Sequence, residues 1–183
     1  MKLVILDRDG VINHDSDEYI RSPEEWQPIP GSLAAIARLH QAGYQIAVAT
    51  NQSGLARGLF DMDTLIRMHD KMLRMVSEAG GALDGIFFCP HAPKDDCDCR
   101  KPKPGLLKQI GQRFRTPLAG VPCIGDSVRD LKAALAVGAS PILVRTGKGL
   151  KSEAAEDMPP GVPVYDNLAA AVDALLAPAT QPG

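Results

Sequence analysis

The sequence predicts an α/β domain built on an open, doubly wound and mostly parallel sheet. Short apolar runs of strand length recur along the chain, at Leu3–Leu6, Ile46–Ala49, Ile86–Phe88, Cys123–Ile124 and Ile142–Val144. Continuous apolar runs of that length read as strands buried on both faces. Amphipathic stretches with helical spacing separate them, giving the β/α alternation of a parallel sheet. Several runs also stop at polar or acidic residues next to glycine, where open α/β sheets place their ligands.

The chain has 183 residues, 45% hydrophobic and 23% charged, with a formal net charge of −2. That is the composition of one globular domain rather than a disordered chain. The charge balance offers no basic footprint for nucleic acid or an anionic membrane. No apolar run approaches the roughly 18 residues of a membrane span. An acid at Asp7, directly after Lys2–Leu6, interrupts any leader-like start, so a cytoplasmic location is expected. In that compartment the four cysteines are thiols or metal ligands rather than disulfides.

The first strand, Lys2–Leu6, runs into Asp7-Arg8-Asp9-Gly10. Carboxylates one residue apart repel unless a metal cation intervenes or one is protonated. Both arrangements suit phosphoryl chemistry. Asp7 is placed to attack phosphorus, Asp9 to move a proton, and Mg²⁺ to offset charge. The alternative is an acidic turn in which one Asp caps the next element. A polar, proline-rich connection follows to Pro30, where His14, Asp15 and Tyr19 are either polyol contacts or solvated loop residues. A helix opens at Gly31-Ser32 and stops at Gly43.

The second strand, 44–49, ends in Thr50-Asn51-Gln52-Ser53-Gly54, a phosphate-holding turn or an ordinary polar one. Asp61–Ala79 is a long amphipathic helix whose methionines read as core. His69 on it reads as a partly buried or surface histidine, not a ligand. The third strand, 84–88, leads to Cys89, His91, Cys97 and Cys99. Three thiols and an imidazole within eleven residues read as a structural zinc set, with no open position for catalysis; the alternatives are a disulfide, disfavoured by compartment, or chance clustering. Arg100 and Lys101 follow at once, either aimed at a phosphate or solvated before the helix Leu106–Phe114.

The fourth strand, 121–125, ends in Asp126, with Asp130 one turn into the helix 131–137. Either acid serves at a strand end or as a cap. Cys123 reads as a small buried hydrophobe. The fifth strand, 141–144, precedes the glycine-rich turn 145–149, which contains Lys148 and lacks the spacing of a Walker loop. A short strand near 162–165 and a helix 168–176 close the domain, leaving a frayed tail at 178–183. Residues 1–183 contain neither an internal repeat nor a linker.

The order of these features resembles the haloacid dehalogenase superfamily. The matching stretches are Asp7-Arg8-Asp9-Gly10, Thr50-Asn51, Lys101, and Gly125-Asp126 with Asp130. Thr50 to Gly58 and Cys97-Asp98-Cys99-Arg100-Lys101-Pro102 look like its zinc-containing branch, which includes heptose bisphosphate and histidinol-phosphate phosphatases. The resemblance implies a Rossmann-like sheet of order 3-2-1-4-5. It is capless, because 13–30 and 89–104 are too short for a domain of about 50 residues.

The same resemblance implies the roles. Asp7 is the nucleophile, Asp9 the general acid and base, and Thr50 and Lys101 hold the transferring oxygens. Mg²⁺ sits on Asp7, Asp126 and the Asp9 backbone, with Asp130 behind them. Asp15, Tyr19, Asn51, Gln52, Ser53, Arg57, Arg100 and Lys101 contact substrate. The implied activity is removal of the 7-phosphate of D-glycero-D-manno-heptose 1,7-bisphosphate by a monomer with a small sugar substrate. Histidinol phosphate is the alternative substrate. A non-enzymatic phosphate-binding module has no use for Asp9 beside Asp7, Lys101 and Asp126. A nucleic-acid 3′-phosphatase fits the negative charge and few aromatics poorly.

Overall fold

The computed structural model describes residues 2–178, so the expected frayed tail lies, Pro178 apart, outside the described residues. Among the described residues, six parallel strands form one sheet. They are β1 Lys2–Leu6, β2 Tyr44–Asn51, β3 Gly85–Cys89, β4 Pro122–Gly125, β5 Ser140–Val144 and β6 Val164–Tyr165. Their order is β3-β2-β1-β4-β5-β6. The expected order holds, and the short last strand joins the edge beyond β5. Leu6 pairs with Val48 on one side and with Ile124 on the other, so β1 lies centrally. The direction of travel reverses at β1, which puts the topological switch point at the ends of β1, β2 and β4.

Side chains alternate across the pleat. Val4, Leu6, Ile46 and Val48 face one layer with Trp26 and helices α1 Ser32–Gln41, α2 Met62–Glu78 and α6 Leu168–Leu176. Leu3, Ile5, Ala47, Ala49 and Cys123 face the other, with α3 Gly105–Phe114 and α4 Val128–Ala136. Of the α2 methionines, Met68 and Met72 are fully buried and Met75 packs partly buried against the core, as expected, whereas Met62 in the first turn is exposed. Leu73 and Ile66 of the same helix are exposed. An N-cap from Asp61 to the Thr64 N–H, 2.8 Å, starts α2 where expected.

Four local expectations change. Cys89 belongs to β3, paired with Asn51, so the first thiol hangs from the sheet rather than from the loop. Helix α4 starts at Val128, three residues early, because Ser127 and Asp130 form a capping box that nucleates it. A short helix α5, Gly149–Glu153, follows the glycine-rich turn; Arg145 reaches Glu153 at 2.8 Å and ties it down. His69 is buried, because the Arg8 side chain lies against it.

Candidate active site

The first positioning event is local. Beyond Leu6 the chain leaves the sheet at Asp7, whose N–H still donates to Ile124 O at 2.9 Å, and turns at Gly10. Gly10 has φ +83°, and a Cβ there would run into the Asp126 carboxylate. Only glycine combines that backbone with so close an approach. Gly147 closes on Asp126 from the β5 side, and the Lys148 N–H donates to Asp126 Oδ2 at 2.9 Å. The turn that lacked a Walker spacing therefore holds a carboxylate rather than a phosphate.

Lys101 lies almost wholly buried at the centre. Its ammonium reaches Asp130 Oδ1 at 2.6 Å, Ala49 O at 2.7 Å and Asp7 Oδ1 at 3.1 Å. Asp7, Asp126 and Asp130 each offer an oxygen within 4.8 Å of the others. Three carboxylates thus surround one ammonium. Burial and then Asp130 hold the Asp7 carboxyl well above its ordinary range, although Lys101 opposes them. Asp126 is pushed up to about 7 by burial and by Asp130. Burial alone would lower Lys101, but Asp130 and Asp7 more than reverse it and its pKa is raised. The cluster has an excess of negative charge and hard oxygen donors, the chemistry that suits a divalent cation such as Mg²⁺.

Asp9 faces a different environment. Its Oδ1 accepts from Arg8 Nε and Asn13 Nδ2, both at 2.9 Å, and its Oδ2 accepts from Gln52 Nε2 at 3.2 Å. Gln52 also donates to Thr50 Oγ1 at 2.9 Å. Asp9, Thr50 and Gln52 line a polar cavity of about 200 Å³ together with Asp15, Tyr19, Asn51, Ser53 and Arg100. Arg57 is the exception among the expected contacts: it is exposed on the turn after β2, outside the cavity, with its guanidinium 5.7 Å from the Tyr19 ring centre. Gln52 is buried and committed to Asp9 and Thr50, so it shapes the site.

Sequence reasoning missed several members. Ser127 and Arg129 also line the cavity, and Lys148, left without a role, does too; Ser16 and Asp17 join them from within the connection whose Asp15 and Tyr19 were expected contacts. Asn13 and Arg8 hold Asp9. A signal for Arg8 was present, since it continues the Val4–Leu6 alternation toward the face that α2 covers.

A second cluster stands beside the first. Cys99 Sγ lies 2.9 Å from Cys89 Sγ, and His91 Nδ1 lies 3.3 Å from Cys99 Sγ and 3.5 Å from Cys89 Sγ. Cys97 Sγ is 3.5 Å from Cys89 Sγ, and none of the four cysteines is in a disulfide. Tetrahedral zinc ligands lie roughly 3.3–3.8 Å apart by the usual bond lengths; the donor set fits that ion, and of these separations only the shorter Cys99–Cys89 contact falls outside the range. The loop closes where Asp98 O accepts from the Gly105 N–H at 3.0 Å. Arg100 and Lys101 leave it directly into the cavity.

Residues 98–171 match the family model described as HAD-hydrolase-like, and residues 2–128 match that described as polynucleotide kinase 3 phosphatase. The D-glycero-beta-D-manno-heptose-1,7-bisphosphate 7-phosphatase of Bordetella bronchiseptica is 56% identical, over 96% of this chain and 98% of that protein. The chain belongs to this phosphatase family, within the haloacid dehalogenase superfamily. The Pseudomonas aeruginosa member is 54% identical over 95% of this chain and 97% of its own. The crystal structure of the B. bronchiseptica D,D-heptose 1,7-bisphosphate phosphatase, complexed with magnesium and phosphate, superposes with a TM-score of 0.94. It covers 96% of this chain and 98% of its own. The Burkholderia thailandensis phosphatase of this family, 48% identical, superposes at 0.78 over 97% of this chain and 100% of its own. Members of the family are named as phosphatases, hydrolases of phosphoric monoesters.

Proposed function

We propose that this chain hydrolyses the 7-phosphate of D-glycero-D-manno-heptose 1,7-bisphosphate, leaving the 1-phosphate for nucleotide-activated heptose and lipopolysaccharide core synthesis. The observation that carries the reading is the meeting of Asp7, Thr50 and Asp126, from three strand ends, with Lys101, from the loop after β3, in one polar cavity. Relatives named for this reaction, at 54–56% identity over nearly the whole chain, support the substrate.

Asp7 attacks phosphorus in line with the departing oxygen and becomes an aspartyl-phosphate. Asp9 gives a proton to that oxygen as the P–O bond breaks, then takes one from the water that releases inorganic phosphate. Thr50, the Asn51 backbone and Lys101 hold the transferring oxygens, so positioning and charge stabilisation supply most of the catalysis. Asp7, Asp126 and the Asp9 backbone carbonyl would hold Mg²⁺, with Asp130 keeping Lys101 beside them. Bound Mg²⁺ supplies positive charge against the phosphoryl oxygens. Cys89, His91, Cys97 and Cys99 would hold a structural zinc that sets the course of Arg100 and Lys101.

The deciding experiment compares Mg²⁺-dependent phosphate release from heptose 1,7-bisphosphate, histidinol phosphate and a 3′-phosphorylated oligonucleotide, with Asp7→Asn as control. A kcat/KM at least about a hundredfold higher for the bisphosphate, roughly 2.7 kcal/mol of transition-state binding, is expected. Preference for either other substrate would overturn the heptose assignment.

A further inference from the structure

Arg8 is completely buried, and the mechanism above gives it nothing to do. Burying a guanidinium is costly unless its donors are used. Here they converge on Asp9. Nε donates to Asp9 Oδ1 at 2.9 Å, and Nη2 lies 2.8 Å from the same oxygen. The Nη2 contact is an ion pair rather than a directed hydrogen bond. Nη1 turns the other way and meets His69 Nε2 at 3.2 Å. His69 stands on α2, sixty-one residues along the chain, in tilted contact with the Phe88 ring at 6.3 Å. Guanidinium has no acceptor, so the His69 nitrogen facing it must be the unprotonated one. Burial, then Arg8, push the imidazole down to about 3, which keeps it neutral.

The two oxygens of Asp9 are therefore unlike. Oδ1 is crowded by Arg8 Nε, Arg8 Nη2 and Asn13 Nδ2, whereas Oδ2 meets Gln52 alone. A carboxylate that must alternately hold and release a proton needs one free oxygen facing the reactants.

We propose that His69 and Arg8 are positioning residues for Asp9: the buried contact from α2 through Arg8 clamps Oδ1 and leaves Oδ2 as the oxygen that carries the proton. The inference rests on Asp9 as proton carrier. In the first half-reaction the Asp7 oxygen–phosphorus bond forms, the ester bond breaks, and the Oδ2 proton passes to the departing alkoxide. In the second, Oδ2 takes a proton from water as its oxygen bonds to phosphorus and the Asp7 linkage breaks. Misaligning the carboxylate impairs both transfers without touching substrate binding.

The test uses the Mg²⁺-supplied enzyme and two substrates: the sugar phosphate that turns over, and 2,4-dinitrophenyl phosphate, whose leaving group needs no proton. His69→Leu is expected to lower kcat on the sugar phosphate about tenfold or more, a fraction of what a general acid–base group contributes, with KM within about twofold. On the aryl ester it should leave the burst of dinitrophenolate at the wild-type rate and slow the turnover that follows. His69→Gln, which returns an acceptor to Arg8, should restore kcat to within about threefold. Where the leucine variant does not fold, His69→Asn, too short to reach, takes its place against His69→Gln. An unchanged kcat in the variant without the acceptor, a burst that slows as much as turnover, or a glutamine variant no better than that variant would overturn the proposal. Wild-type turnover by Asp9→Asn would instead remove Asp9 as proton carrier, a separate failure.

Discussion

Asn51 and Lys101, fifty residues apart, are joined by two hydrogen bonds between one side chain and one backbone. Asn51 Oδ1 accepts from the Lys101 N–H at 3.0 Å, and Asn51 Nδ2 donates to Lys101 O at 3.1 Å. The amide of Asn51 thus pins the exit of the cysteine loop to the end of β2, from which the Lys101 ammonium reaches Asp7. Asn51→Ala would leave two partly buried backbone groups unpaired. A loss of about 1–3 kcal/mol in stability is expected, with a fall in kcat of about tenfold or more as Lys101 loses its anchor. Urea melts and steady-state kinetics on one preparation measure both.

Asp126 links metal to pH. Its folded pKa, about 7, stands above the 3.8 of an unperturbed carboxyl, burial being the first cause. The folded state binds more protons between those values, so the cation-free protein loses stability from this group as pH rises through them. Mg²⁺ should therefore raise Tm more at pH 8 than at pH 5, where protons compete. The Mg²⁺ shift should vanish in Asp126→Asn, and kcat should fall at least about a hundredfold. A calorimetric series with and without Mg²⁺ reads this directly.

The cysteine loop tests the second metal. Among the described residues, the single 3-10 turn Pro93–Asp95 is the only regular element between Cys89 and Cys99, and it buries none of its residues. A metal is the expected organiser of such a loop. Purified protein should contain about one zinc per chain, and a strong chelator should lower both Tm and activity. Cys97→Ser should lose most of the zinc. Elemental analysis showing full activity in zinc-free protein would dismiss a structural metal here.

Arg100 enters the cavity from that loop with one weak tie, to His91 O at 3.5 Å. Burial and the neighbouring Arg129 lower its pKa, and two guanidiniums lining one cavity call for an anion. A second phosphate on the substrate would supply it. Arg100→Ala should raise KM for a bisphosphate about tenfold and change KM for a small monophosphate less than twofold. Equal changes would reassign Arg100 to the loop's own stability.

His69 makes acid stability depend on α2. An unfolded histidine binds its proton near pH 6.5, whereas the folded side chain resists protonation down to about 3. Between those values the unfolded chain binds more protons, so this stabilisation is complete above about 6.5 and is lost as pH falls toward 3. The wild type should lose stability more steeply than His69→Leu between pH 7 and 4.5. Parallel urea midpoints across that range for the two proteins would contradict it.

Much of the site was legible because its chemistry lies at strand ends. An apolar run followed by an acid at Asp7 or Asp126, or by a hydroxyl at Thr50, marks a strand and its functional edge together. The four zinc-type donors were legible from spacing alone, since both chelating pairs are local. Arg57, by contrast, sits in a matching stretch and still lies outside the cavity, because the turn after Ser53 carries it to the surface. Lys148 was left without a role because its backbone N–H holds Asp126 and its ammonium reaches Asp15 at 3.5 Å, partners that no local pattern marks.

By itself the sequence determined the β/α alternation, the residues at each strand end and the thiol–imidazole set, all of which follow from periodicity and local spacing. Only the tertiary structure decided which charges meet. Lys101 between Asp7 and Asp130, Gly10 against Asp126, and His69 behind Arg8 are each joined across tens of residues by the sheet's crossovers. Their energetics depend on burial, which lifts the Asp7 and Asp126 carboxyls above their ordinary range and joins the acids into one cluster for a cation to compensate, and no local pattern in the chain records that burial.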